Sequence, residues 1–257
     1  MSVLCILSFW PTFAKSEISK LPTMKKVVFL TGAGMSVESG LSTFRGSGGM
    51  WNEYKIEDVA SIEGYERNPA LVLEFYNKRR QELLTVAPNE GHRLIAELEK
   101  HNEVVVVTQN VDDLHERAGS TNVIHLHGEL MKATSTDSPN NLNYVRTLTQ
   151  ENLEIKIGDK ADDGSQLRPY IVWFGEAVPM MEDAVLALRD ADAFVIIGTS
   201  LNVYPAAGLL NYAPAGIPIY LIDPNDVQPY LPARIKVIKS GASEGMKSLF
   251  ALLSSEH

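Results

Sequence analysis

Two glycines in the turn Thr31-Gly32-Ala33-Gly34 follow directly on an apolar run at 27–30. A strand, a tight glycine turn and a helix start together present backbone N–H groups to a pyrophosphate, so this stretch points to a dinucleotide. It is not the hydride-transfer fingerprint. The third glycine is missing, since Val37 stands there, and no clear acidic residue ends a second strand about 20 residues on. Phe44-Arg45 and a flexible, glycine-rich stretch, Gly46-Ser47-Gly48-Gly49-Met50-Trp51, follow instead. Other polar clusters stand just after apolar runs. The run at 104–107 leads into Thr108-Gln109-Asn110-Val111-Asp112, a cluster of amides and a carboxylate. The run at 123–124 leads into His125-Leu126-His127-Gly128-Glu129, imidazoles able to move a proton near neutral pH. Farther on come Val172-Trp173-Phe174-Gly175-Glu176, then Gly198-Thr199-Ser200, and last Asp223-Pro224-Asn225.

The elements that must position these groups are legible as further apolar runs at 170–172, 193–197, 218–222 and 235–238, most of them separated by helical stretches. Strands alternating with helices imply an α/β fold with a parallel sheet covered on both faces. Polar groups just past the carboxyl ends of such strands converge on one crevice. Gln109, Asn110, Asp112, His127, Thr199, Ser200 and Asn225 are therefore read as one site. A helix is predicted over 68–86, with Asn68 as cap, Pro69 in the first turn and Leu71, Phe75 and Leu83 near one face. A second is predicted over 89–101, with Leu94, Ile95 and Leu98 apolar. The stretch 134–166 is polar and reads as an inserted small subdomain or a long loop.

A chain of 257 residues can hold one large domain, or one with a small insert. A net charge of −9 argues against non-specific nucleic-acid binding. The single cysteine, Cys5, excludes a disulfide framework and a cysteine-built zinc site. No apolar run is long enough to cross a membrane. The apolar stretch at 3–10 lacks the preceding positive charge of a signal peptide, and Met24-Lys25-Lys26 opens straight into the first strand. Residues 1–23 are expected to be an N-terminal extension, disordered or non-native, with a cleaved signal ending near Thr12-Phe13-Ala14 as the alternative. The domain is expected over 24–257, with small-domain insertions near 46–86 and 130–169.

Five motifs in one order, GAGMSVESGLSTFRG (32–46), TQNVDDLHERAG (108–119), HLHGE (125–129), VWFGE (172–176) and GTSLNVYPAA (198–207), resemble those of the sirtuins, NAD-dependent protein-lysine deacylases. The resemblance implies a Rossmann-like open sheet with a small inserted subdomain, NAD+ as co-substrate, and acyl-lysine proteins or peptides as partners. It implies no nucleic acid or membrane partner and a monomer, in the cytoplasm because NAD is mainly intracellular. By the same resemblance Gly32, Ala33 and Gly34, with Ser36 on the same turn, approach the pyrophosphate. Arg45 also faces phosphate, and Phe44 shields the reactive ribose carbon. Asn110 and Asp112 form the nicotinamide pocket, and Gln109 contacts the nicotinamide ribose. Thr199, Ser200 and Asn225 hold the adenosine half; Gly198 and Ala242 complete the cofactor set. His127 is the implied general base: as nicotinamide leaves, the acyl-lysine amide oxygen attacks the ribose carbon, and the histidine deprotonates a ribose hydroxyl so that attack on the imidate proceeds. His125 is its rival; His92, His101 and His115 are read as structural or solvated, Asp113 and Glu116 as solvated.

The same resemblance makes Val172, Trp173, Phe174, Gly175 and Glu176, with Val178, a strand that pairs with the substrate peptide, although Trp51 and Trp173 also fit as core aromatics. Tyr76 and Arg79, three apart on one helix face, look like the Tyr-x-x-Arg pair of class III sirtuins, which recognises succinyl and malonyl groups. An arginine fork suits a terminal carboxylate, and a small Ser47 suits a roomy pocket. Arg79 and Arg80 also fit as charges on an exposed face. The chain departs from the family at 132–168, which contains neither cysteine nor histidine. The scattered Asp137, Asp159, Asp162 and Asp163 do not suit a closed zinc tetrahedron. No zinc is expected, and the subdomain is expected either to be held by apolar contacts of Leu142, Tyr144, Leu148, Leu153 and Ile155 or to be loosely ordered. Mono-ADP-ribosyl transfer or NAD hydrolysis at the same site is the alternative activity, and a non-catalytic NAD-binding module a third reading.

Overall fold

The structure is a computed structural model and describes residues 25–43, 54–225 and 234–254. Six strands form one sheet: β1 (Lys26–Thr31), β2 (Glu103–Thr108), β3 (Val123–His125), β7 (Ala193–Ile197), β8 (Ile219–Ile222) and β9 (Ile235–Ile238). Their order across the sheet is β3-β2-β1-β7-β8-β9, and every neighbouring pair is parallel. The order reverses between β1 and β7. The chain leaves these two strands toward opposite sides, which opens a crevice beyond their carboxyl ends.

The near-continuous apolar character of the strands follows from burial on both faces. In β1, Val27 and Phe29 pack with Ile95, Leu98 and Met246, while Val28 and Leu30 pack with Ala184 and Leu188 on the other face. Those partners belong to α4 (Glu90–Leu98), α7 (Ala242–Ser254) and α6 (Met181–Leu188). α4 stops at Leu98 rather than at 101. It opens on a reciprocal cap: the Asn89 side chain accepts from His92 N–H, and His92 Nδ1 accepts from Asn89 N–H. Among the described residues no helix is long and apolar enough to cross a membrane.

A second sheet is small and antiparallel, in the order β5 (Arg146–Thr147), β4 (Gly128–Ser135), β6 (Leu167–Ile171). The apolar run at 170–172, expected in the parallel sheet, ends this small sheet instead. The chain reverses through 136–166 and returns β6 along β4, and Pro169, which has no N–H to give, is tolerated because β6 is an edge. Two short helices, α1 (Ile56–Val59) and α2 (Ile62–Arg67), and the long α3 (Pro69–Thr85) pack against it. α3 begins as its sequence dictates, with the Asn68 side chain accepting from Leu71 N–H at 3.2 Å and Pro69 in the first turn.

Of the residues expected to hold this subdomain, Leu148 and Ile155 are buried, but Leu142 is 71 % exposed. Side-chain bonds to backbone replace it. Arg80, also fully buried and not on an exposed face, donates from Nε to Leu153 O at 2.8 Å, from Nη1 to Leu130 O at 3.5 Å, and from Nη2 to Asn77 Oδ1. Asn77 in turn donates to Ile155 O and accepts from Ile155 N–H, both at 3.0 Å. Asp163 accepts from Ser135 Oγ and from Ser165 N–H. A polar sequence is thus ordered because its own side chains satisfy its backbone.

Candidate active site

The glycine turn and the β7 loop meet backbone to backbone. Gly32 N–H donates to Ile197 O at 3.0 Å and Gly34 N–H to Gly198 O at 2.9 Å. A Cβ on Gly34 would stand 2.6 Å from Gly198 Cα, and Gly198 itself has φ +62°. The glycines are required here for close approach of two chains across the crevice. The N–H groups of Gly32 and Gly34, expected for a pyrophosphate, are committed to the neighbouring strand. Ala33 opens the expected helix start, as a seven-residue 3-10 helix, Ala33–Ser39.

Beyond β2, Ser36 joins the amide and the carboxylate singled out in the sequence. Its hydroxyl donates to Asp112 Oδ2 at 3.0 Å and accepts from Asn110 Nδ2 at 3.2 Å; Asn110 Nδ2 also donates to Gly32 O at 3.0 Å. Asp112 is buried, which pushes its pKa up against the hydrogen bonds from Ser36 and from Leu114 N–H. Gln109 Nε2 donates to Thr199 Oγ1 at 3.0 Å, linking the β2 and β7 loops. Asp223 Oδ1 accepts from Asn225 N–H at 2.8 Å, while Ser200 is exposed. Ala242 is buried at the start of α7, where Glu38 accepts from Ser243 N–H at 3.2 Å. Phe44, Arg45, Ser47 and Trp51 lie outside the described residues.

The two candidate bases are separated by their partners. His127 Nδ1 lies 3.0 Å from Gln109 O. A carbonyl only accepts, so Nδ1 carries the proton and Nε2 keeps its lone pair. Burial pulls the His127 pKa below the ordinary value, the bond to Gln109 working against it. In His125 both nitrogens face acceptors: Nδ1 lies 3.1 Å from Asn110 O and Nε2 2.7 Å from Glu116 Oε1. Burial alone would lower the His125 pKa, but the Glu116 hydrogen bond and charge raise it overall. His125 is thus a charged clamp between Glu116 and the Asn110 backbone. Glu116, read as a solvated helix position, is its counter-ion. His92 and His115 are buried in the layer beneath, with rings 4.8 Å apart; His115 Nε2 and Thr31 Oγ1 share a hydrogen bond at 3.1 Å.

The acyl and peptide candidates gather on α3 and beyond β6. Tyr76 is 4 % exposed, and its oxygen accepts from Trp173 Nε1 at 3.0 Å. The Arg79 side chain is largely buried, with Nη1 3.6 Å from Glu82 Oε2. Residues 172–176 were expected as a strand; they form a turn with a single bridge, from Phe174 to Ser61, and Gly175 at φ +94°. Its donors are in use: Val172 N–H bonds His127 O, Phe174 N–H bonds Ala60 O, and Trp173 N–H bonds Glu176 Oε2 at 2.8 Å. The buried Arg168 fixes this turn, pairing with Glu176 at 2.6 and 3.0 Å and lying 3.5 Å over the Trp173 ring. Trp173 is therefore a core aromatic. Sequence reasoning missed Arg168: a charge eight residues before its partner in extended chain leaves no local pattern. Among the described residues no three His, Cys, Asp or Glu side chains gather as a metal site.

The sequence pattern of the Sir2 family matches residues 32–205. A Bacteroides thetaiotaomicron protein named NAD-dependent protein deacylase is 60 % identical over 230 residues, which cover 90 % of this chain and 98 % of the relative. A Helicobacter pylori protein of the same name is 47 % identical over 230 residues, with 90 % and 98 % covered. A Sir2 homologue solved with NAD has a TM-score of 0.78 at 38 % identity, covering 90 % of each chain. A Sir2 protein solved with a deacetylated p53 peptide and 3′-O-acetyl ADP-ribose has a TM-score of 0.71 at 27 % identity, covering 91 % of this chain and 94 % of the other.

Proposed function

The chain belongs to the Sir2 family, and from that premise we propose that His127 is the base of its deacylation reaction and that Tyr76 and Arg79 select acyl groups ending in a carboxylate. The protein is an NAD-dependent protein deacylase with a Rossmann-like large domain. The observation that carries the catalytic reading is the His127 tautomer, with Nδ1–H held by Gln109 O and Nε2 left as a base.

The residues present fit NAD. The Gly32–Gly34–Gly198 contact leaves no room for a Cβ at the crevice floor, and an amide with a buried carboxylate matches a carboxamide. When bound, NAD supplies a ribose carbon whose bond to nicotinamide breaks as the acyl-lysine amide oxygen attacks. Asn110 and Asp112, each fixed by Ser36, would hold the carboxamide. Gln109, tied to Thr199, would contact the nicotinamide ribose, and its carbonyl orients His127. His127 Nε2 would take a ribose hydroxyl proton. One water is consumed overall, giving free lysine, nicotinamide and O-acyl-ADP-ribose. The lowered His127 pKa keeps the ring neutral, as a base must be.

For the acyl group, Arg79 offers a fork to a carboxylate and Tyr76 a phenol whose pKa burial pushes up to about 12, so it stays a donor. We propose succinyl- and malonyl-lysine as preferred substrates, the cytoplasm as the compartment because NAD is mainly intracellular, and a subdomain that needs no zinc. One panel tests this: NAD with peptides carrying acetyl, malonyl, succinyl or no acyl group. Release of nicotinamide should require an acyl-lysine and be fastest with succinyl or malonyl. Equal release without peptide would turn the reading to NAD hydrolysis. Stoichiometric zinc in the purified protein would overturn the zinc-free subdomain.

A further inference from the structure

The contact between Trp173 and Tyr76 has a direction. An indole N–H can only donate. The Tyr76 oxygen, 3.0 Å away, must accept. One lone pair is thereby occupied, and the phenol proton is left to be donated elsewhere; no described residue accepts it. Both side chains are almost inaccessible, at 2 % and 4 % exposure, so neither ring turns without opening the core. Trp173 is held on several sides: Arg168 over its ring at 3.5 Å, Tyr65 against it at 4.7 Å between centroids, and Glu176 accepting its backbone N–H. The same Glu176 carboxylate pairs with Arg168. The chain Arg168–Glu176–Trp173 therefore fixes the indole donor, and the donor fixes the phenol one helical turn from Arg79.

We infer that Trp173 is a positioning residue for acyl selectivity: by donating to the Tyr76 oxygen it reserves the Tyr76 proton for a carboxylate at the end of the acyl chain. The inference rests on the acyl-carboxylate reading proposed above. It gives Trp173 a role distinct from peptide contact, in keeping with its burial. The raised Tyr76 pKa supports it, since an ionised phenol would repel the carboxylate.

Trp173→Phe keeps a ring and removes the donor, after which the Tyr76 proton can turn inward. The readout is kcat/KM for succinyl- and acetyl-lysine forms of one peptide at saturating NAD. The succinyl-to-acetyl ratio should fall about tenfold, the size of one hydrogen bond to a charged group, with the loss in KM of the succinyl peptide. In a Tyr76→Phe background the same change should move the ratio no further, because it acts through that hydroxyl. An unchanged ratio in the single variant, or a further fall in the double, overturns the inference. Should Trp173→Phe fail to fold, benzothienylalanine at 173 in the full chain keeps the shape without the N–H and is read the same way. Arg79→Met separates the failures. If its ratio does not fall, the acyl-carboxylate reading is overturned, and the inference with it. If it falls while the ratio of the Trp173 variants does not, only the positioning role is lost.

Discussion

Acidification is expected to loosen the layer beneath the crevice, and His92 sets the size of the effect. The side chain is fully buried. Because its Nδ1 accepts from Asn89 N–H at 3.3 Å, the neutral ring carries its proton on Nε2, which has no hydrogen-bond partner. A second proton would charge a ring packed edge-on against His115. Burial first, then the charge of Arg93, hold the His92 pKa down at about 4. Burial and the neighbouring His92 also hold His115 well below the ordinary value. In the unfolded chain both rings take up protons near pH ~6.5. Between about pH 6.5 and about pH 4 the unfolded state therefore binds more protons, and stability falls as pH falls. Lowering the pKa from the ordinary 6.5 to about 4 corresponds to about 3 kcal/mol for His92. About 2 kcal/mol of this is already lost at about pH 5. His115 adds in the same direction. His125 acts oppositely: its pKa is raised, so its pair with Glu116 favours folding more as pH falls. His92→Gln retains an acceptor for the cap and cannot titrate. In urea unfolding at about pH 7.5 and about pH 5, the wild type should lose about 2 kcal/mol more than the variant. Equal losses would refute the claim that burial holds His92 neutral.

His127→Ala is expected to abolish deacylation with an unchanged circular dichroism spectrum; the acid limb of the wild-type kcat/KM profile should lie below the ordinary histidine value, and a limb at or above that value would contradict the burial shift. Arg80→Met strands Leu153 O and Leu130 O and should destabilise the small subdomain by about 2–4 kcal/mol, seen as faster proteolysis within 136–166; wild-type resistance would mean the apolar contacts suffice. In Glu116→Gln the burial of His125 is opposed only by the charge of Glu129 and the bond to Asn110 O, so its titration, followed by NMR, should fall from its raised position. A titration that stays raised would assign the shift to another group.

Local chemistry wrote the strands, the helix starts and the content of the crevice into the chain. Val27, Phe29 and their neighbours form an apolar run because β1 is buried on both faces, and Asn68 and Asn89 mark helix starts because their side chains satisfy N–H groups three residues on. Gln109, Asn110, Asp112 and Thr199 could be grouped because a parallel sheet sends every strand end to the same edge. The remaining distinctions hang on partners distant in sequence. The proposal of His127 rather than His125 as base rests on Glu116 occupying one ring and on Gln109 O, 18 residues away, setting the proton on the other. That 170–172 joins a small antiparallel sheet, and that 172–176 is a clamped turn, follows from pairing with β4 and from the buried Arg168, neither of which has a local signature. Tyr76 and Trp173 stand 97 residues apart. From the order of its residues one reads parallel strands whose ends gather polar groups, imidazoles among them. Which ring nitrogen is free, which arginines are buried and which way the hydrogen bonds run emerge with the fold, because donor direction and burial are properties of the partners it brings together.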